Sequence, residues 1–213
     1  MKHRRPSKMT DRQRRTRYAA RHLVRALAVA LVLAGLIAAD RAGLFGKRPP
    51  PDADKYDGRS FVVVKVVDGD TIDLDVPDAA WDHTRVRLWG VDTPETVKEN
   101  TPVQHFGPQA SEFTRRTCRG KLVRIELDPR DTRDRYGRLL AYVYLDDGRM
   151  LNRVLVAEGY AYADPRFDHE FRGEFNRLQR DAMEGGRGLW RDATPADLPY
   201  YLRGLKLPNR MEQ

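Results

Sequence analysis

The stretch from Phe61 to Val76 constrains the fold more than any other part of the chain. Phe61 to Val67 (FVVVKVV) is a β-branched run and reads as a strand. Asp68-Gly69 follows as a hairpin turn signal. Thr71 to Val76 (TIDLDV) then alternates apolar and acidic residues, as a half-buried strand does. After a loop around Pro77 to His83, Thr84 to Val91 (TRVRLWGV) supplies a third strand, and the three form a meander. Pro108 opens a helical stretch over Gln109 to Arg119, which Gly120 ends. Lys121 to Leu127 and Leu139 to Leu145 read as two further strands. Met150 to Glu158 is a short helix closed by Gly159, and Phe167 to Met183 a charged amphipathic helix stopped by Gly185-Gly186. Trp190 is placed to dock that last helix. Five short strands with helices between and after them point to an α+β chain built on a small Greek-key barrel with about three helices.

The N-terminus has a different character. Ala26 to Ala39 is an uncharged apolar run, which Leu23 and Val24 extend across Arg25. Its length lies between a signal-peptide core and a spanning helix, so residues 23–39 read as a signal-anchor or transmembrane helix, with a cleaved signal as the alternative. Residues 1–25 hold ten Lys or Arg and one acid, a net +9. The whole chain is +8, so everything after Arg25 sums to −1. The basic excess therefore belongs to a tail, and net charge says little about what the folded domain binds. By the positive-inside rule that tail is cytoplasmic, which puts the rest of the chain across the membrane as a single-pass protein, or outside the cell if the signal is cleaved. Residues 40–58, with Pro49 to Pro51, read as a semi-rigid linker. The domain itself is expected over 59–190, and 191–213 is a tail whose prolines argue against a long helix.

Three clusters hold the chemistry. They are Asp68-Gly69-Asp70-Thr71 at the first hairpin, Arg87 through Asp92-Thr93-Pro94-Glu95 leaving the third strand, and Asp134-Arg135-Tyr136-Gly137-Arg138 entering the fifth. Each sets acid or base at a strand end, where a rigid scaffold can aim side chains. Singly they are ordinary motifs: a turn, a helix start, a solvated hairpin.

Together, and in this order, they resemble the thermonuclease family typified by staphylococcal nuclease. The resemblance covers roughly residues 61 to 190, including Phe106-Gly107-Pro108-Gln109-Ala110 and Gly188-Leu189-Trp190. It implies a five-stranded OB-like barrel and a calcium-dependent nuclease acting on DNA, RNA or both, with one Ca²⁺ per domain and the protein a monomer. Asp70 and Asp92 are oxygen donors suited to that ion, and the resemblance adds the backbone carbonyl of Thr93. Glu95 would orient or deprotonate the attacking water. Arg87 and Arg138 would clamp the phosphate bidentately. Asp68 would hold the ion's water shell, and Asp134 the loop bearing Arg138. Arg135 and Tyr136 would contact a terminal phosphate and a base, and the product would carry a 3′-phosphate. Tyr160 and Tyr162 are offset from the family's site aromatics, so no role is carried over to them.

The remaining candidates are thin. Cys118 is alone, so neither an intramolecular disulfide nor a thiolate metal site is available. The five histidines show no metal spacing, and Ser111 has no partner base in sequence reach. Two competing readings are a membrane-anchored, non-catalytic OB-type nucleic-acid-binding module and a scaffolding protein of the envelope.

Overall fold

The computed structural model describes residues 21–35, 51–96 and 103–208, in two units divided near residue 50. The described part of the first unit is one helix, α1, over 21–35. It covers 23–35 of the expected apolar span. Residues 36–39, like the basic tail over 1–20, lie outside the described residues. Among the described residues no helix is long and apolar enough to cross a membrane.

The second unit starts inside the segment expected to be linker. Asp52–Tyr56 forms a short helix, α2. Tyr56 is fully buried, and its hydroxyl lies 2.9 Å from the Thr84 hydroxyl. Asp52 receives both Nε and Nη2 of Arg133, at 2.8 and 2.6 Å. One aromatic in an acidic stretch carries no periodicity, which is why the sequence does not announce this helix.

Five strands close a barrel in the order β1 (Ser60–Asp68), β2 (Thr71–Leu74), β3 (Thr84–Leu88), β6 (Leu139–Tyr144), β5 (Leu122–Leu127). All neighbours are antiparallel except β3 and β6. The interior is filled by Val63, Ile72, Leu74, Val86, Leu88, Val123, Ile125, Leu139 and Val143, each at most 1% exposed. A two-residue strand β4 (Val91–Asp92) leaves the barrel and pairs with β7 (Tyr162–Ala163), aligning Asp92 with Tyr162. The expected third strand therefore ends at Leu88 and resumes after a turn.

Helix α3 (Gly107–Cys118) packs on β1, and α4 (Leu151–Ala157) packs on α5 (Arg172–Gly185). Helix α5 begins five residues later than Phe167, where the sequence places its start. Residues 164–171 are instead tied into a loop: Asp164 accepts the Arg166 backbone N–H at 3.0 Å, and His169 is buried below it. A second, smaller core gathers Tyr162, Ala182, Met183, Leu189, Trp190, Leu198 and Leu202. It docks Trp190 as expected and also draws in the segment beyond residue 191.

Candidate active site

Register irregularities in β1 set the site up. β1 slips against β2 between Val63 and Lys65 and again between Val66 and Asp68, immediately before the Asp68-Gly69-Asp70 turn. Bulges of this kind re-aim side chains at a barrel rim. The turn is held from below by α3, whose buried Thr114 hydroxyl donates to the Gly69 carbonyl at 2.6 Å. Gly69 is required here for space: a Cβ would stand 2.7 Å from the Thr93 Oγ1. That closeness brings Thr93 onto Asp70. The Asp70 Oδ2 accepts the Thr93 backbone N–H at 2.7 Å and its hydroxyl at 3.1 Å, while Oδ1 accepts the Thr71 hydroxyl at 3.0 Å.

The turn between β3 and β4 is held by a residue the sequence reading did not single out. Fully buried Asn152 donates to the carbonyls of Trp89, at 2.9 Å, and Ala141, at 3.2 Å, and accepts from the Val143 N–H. Gly90 within that turn has φ of +77° and lies over His169, whose ring would be 2.4 Å from a Cβ.

Arg87 is the centre of the cluster. Its guanidinium donates to the Val91 carbonyl at 2.7 Å, lies 3.0 Å from Asp70 Oδ2, and donates to Asp92 Oδ1 at 2.6 Å. Burial opposes its charge, but Asp70, Asp92, Asp68 and Asp164 outweigh burial and raise its pKa. The carboxyls feel the reverse. Burial, then the Asp70 charge, pushes Asp68 up to about 8. Burial also raises Asp92, with Arg87 opposing and Asp70 adding to the rise.

All ten residues singled out in the sequence line one cleft of about 820 Å³: Asp68, Asp70, Arg87, Asp92, Thr93, Glu95, Asp134, Arg135, Tyr136 and Arg138. Glu95 turns its Oε1 to the Thr96 N–H at 3.0 Å, and its own N–H donates to Gln104 at 2.8 Å. Asp134 accepts the backbone N–H groups of Tyr136 and Arg138, at 2.9 and 3.0 Å, and the Arg138 Nε at 2.7 Å. The loop and the arginine are thus held by one carboxylate. Tyr136 is 69% exposed, so it does not pack into the barrel edge; Arg135 and Arg138 lie over its ring at 4.8 and 5.5 Å.

Other residues join the cleft unforeseen. Arg166 is clamped by Asp164 at 2.6 Å and reaches Asp92 Oδ2 at 3.3 Å. Phe167, Tyr200 and Arg133 line the wall. The Tyr201 hydroxyl donates to Asp92 Oδ2. Tyr160 stacks on Phe113 at 4.1 Å and Tyr162 packs on Trp190, so neither faces the cleft.

The cleft wall carries seven carboxylates (Asp68, Asp70, Asp92, Glu95, Asp131, Asp134, Asp164) and five arginines (Arg87, Arg133, Arg135, Arg138, Arg166). Asp70 and Asp92, both ion-paired with Arg87, offer the hard oxygen donors that a divalent cation such as Ca²⁺ takes. Among the described residues no three His, Cys, Asp or Glu side chains form a metal cluster, so two carboxylates would need a carbonyl and water to complete the shell.

Comparison with known proteins gives the family. The family described as Staphylococcal nuclease homologue matches residues 85–192. The chain is 45% identical over 135 residues to a thermonuclease of Staphylococcus intermedius, covering 62% of this chain and 77% of that protein. It is 41% identical over 133 residues to the thermonuclease of Staphylococcus hyicus, covering 62% and 76%. Endonuclease YncB of Bacillus subtilis is 42% identical over 97 residues, 46% of this chain and 44% of that one. On the barrel, the shared segment and the extent of these identities, the chain belongs to the staphylococcal nuclease homologue family.

Proposed function

We infer that this chain is a nuclease that hydrolyses phosphodiester bonds of DNA or RNA in the cleft described above. One observation carries the reading: residues from three separate sequence clusters converge on one cavity, with Arg87 ion-paired to both Asp70 and Asp92. Family membership supports the reaction class.

Asp70, Asp92 and the Thr93 carbonyl are the residues that would hold a Ca²⁺ ion, with Asp68 behind them. When bound, that ion supplies positive charge beside the reacting phosphate and lowers the pKa of nearby water. Arg87 and Arg138 donate to the phosphoryl oxygens and offset the charge that grows as the leaving oxygen departs. Glu95 accepts the proton of the attacking water. Water oxygen bonds to phosphorus, the bond to the 5′ oxygen breaks, that oxygen takes up a proton from solvent, and the products are a 3′-phosphate and a 5′-hydroxyl. Tyr136 gives an exposed surface for a base, with Arg135 beside it for a phosphate. Such stacking favours unpaired strands over an intact duplex.

The proposed setting is a membrane anchor formed by 23–39, with the catalytic unit on the extracytoplasmic side. Membrane fractionation of the full chain, followed by alkaline wash, tests this, and quantitative release into the supernatant overturns it.

The test of function is cleavage of end-labelled single- and double-stranded DNA and RNA by the full chain in detergent, with Ca²⁺, with Mg²⁺ and with chelator. Calcium-dependent cutting to 3′-phosphate ends is expected, fastest on single strands. Tight binding without cutting under any metal would refute the reading in favour of a binding module.

A further inference from the structure

We propose that Tyr201, in the segment beyond residue 192 where the family match ends, is a positioning residue for Asp92. This rests on the reading of Asp92 as a metal ligand.

Asp92 needs such a partner. It ends a strand of only two residues, and its side chain is 24% exposed, so the barrel wall does not fix it. Oδ1 is held by Arg87. Oδ2 is held from the other side, by the Tyr201 hydroxyl and by Arg166 at 3.3 Å. With both oxygens engaged, the carboxylate plane is set, and Oδ1, which has the one partner Arg87, keeps a lone pair for a further partner.

Tyr201 is itself rigidly placed. Arg166 lies over its ring at 4.2 Å and is locked by Asp164, at 2.8 Å through Nε and 2.6 Å through Nη2. Leu198 and Leu202, on either side, are 3% and 9% exposed in the second core. Asp197 accepts the Thr194 N–H and hydroxyl, at 2.8 and 2.6 Å, and so folds the chain towards the site. Tyr162, the register partner of Asp92 in the β4–β7 pair, packs in that same core. The second core thus grips Asp92 twice, by the backbone through Tyr162 and by the side chain through Tyr201.

The experiment uses the full chain. Binding of calcium alone is measured by calorimetry, with kcat and KM on labelled single-stranded DNA and the thermal midpoint alongside. Tyr201→Phe keeps the ring under Arg166 and removes only the hydroxyl. It is expected to weaken calcium binding about tenfold, the scale of lost support behind a metal ligand, with KM for DNA within about twofold and the midpoint nearly unchanged. Leu202→Ala, which loosens the segment, is expected to lower the midpoint and weaken calcium binding together. A wild-type chain that binds calcium and cuts, beside a Tyr201→Phe chain of equal calcium affinity, overturns this inference alone. A wild-type chain that binds no calcium overturns the metal reading as well.

Discussion

Gly90 offers a sharp test of how the turn bearing the site is built. Two separable penalties meet there. The backbone is left-handed, φ +77°, and a Cβ would enter the His169 ring, 2.4 Å from Cε1 and 2.5 Å from Nε2. Gly148 carries the first penalty without the second: its φ is +82° and nothing lies within 4 Å of a Cβ. Placing a non-glycine residue in the left-handed region costs about 1–2 kcal/mol. Forcing an extra carbon into a packed interior adds about 1–3 kcal/mol. Gly148→Ala should therefore destabilise by about 1–2 kcal/mol and Gly90→Ala by about 2–5 kcal/mol. The excess should shrink when His169→Ala is made in the same chain, because the obstructing ring is gone. Urea unfolding of the four variants, read as a double-mutant cycle, gives the coupling directly. Equal losses for Gly90→Ala and Gly148→Ala, or no coupling to His169, would refute the packing argument.

Other outcomes follow from the same geometry. Glu95→Gln should lower kcat by at least about 10² while leaving the urea midpoint in place; a wild-type rate removes Glu95 as the base. Tyr136→Ala should raise KM by about one to two orders of magnitude through a lost stacking surface and spare kcat, and an unchanged KM would take the base off that ring. Burial among Trp89, Tyr142 and Phe175 holds the His169 imidazole below its usual range, with Arg172 reinforcing the shift and Asp128, Asp164 and Asp168 opposing it. The unfolded chain therefore takes up this proton first as pH falls through about 6.5, and stability declines from there to the folded pKa. Asp68 runs the other way over this range, since its raised folded pKa favours the folded chain as pH falls, so the His169 contribution is read as a difference: from about pH 7.5 to 5 the urea midpoint of the wild-type chain should fall relative to that of His169→Gln, and a constant difference would contradict it.

What could be read from the residues alone was local. Phe61 to Val76 announces a hairpin because its alternation and its turn signal sit side by side. The three site clusters are short runs in which each acid and arginine is near its neighbours along the chain. What escaped was made of long separations. Tyr201 and Asp92 are 109 residues apart, and Arg133 and Asp52 are 81 apart. Asn152 looks like an ordinary helix residue until Trp89 is found above it, 63 positions away. Gly69 was read as a turn glycine. Its need is the nearness of Thr93, which only the closed barrel supplies. The late start of α5 has the same origin: helical periodicity continues through Phe167, but the Asp164–Arg166 clamp and buried His169 take those residues for the cleft wall.

The parallel pairing of β3 with β6 has a kinetic consequence. Val86, Arg87 and Leu88 align with Leu139, Leu140 and Ala141, so the edge of the strand bearing Arg87 waits for chain more than fifty residues downstream. Until that segment arrives, the first three strands are an open meander, and the Arg138 loop has no fixed place beside them. Pairings this distant form slowly because the loop must close before any contact rewards it. Barrel closure and assembly of the cleft are therefore one event in folding. A chain that lacks β6 leaves that edge of β3 without its partner strand, so the cluster around Arg87 and the loop bearing Arg138 come together only once β6 has docked.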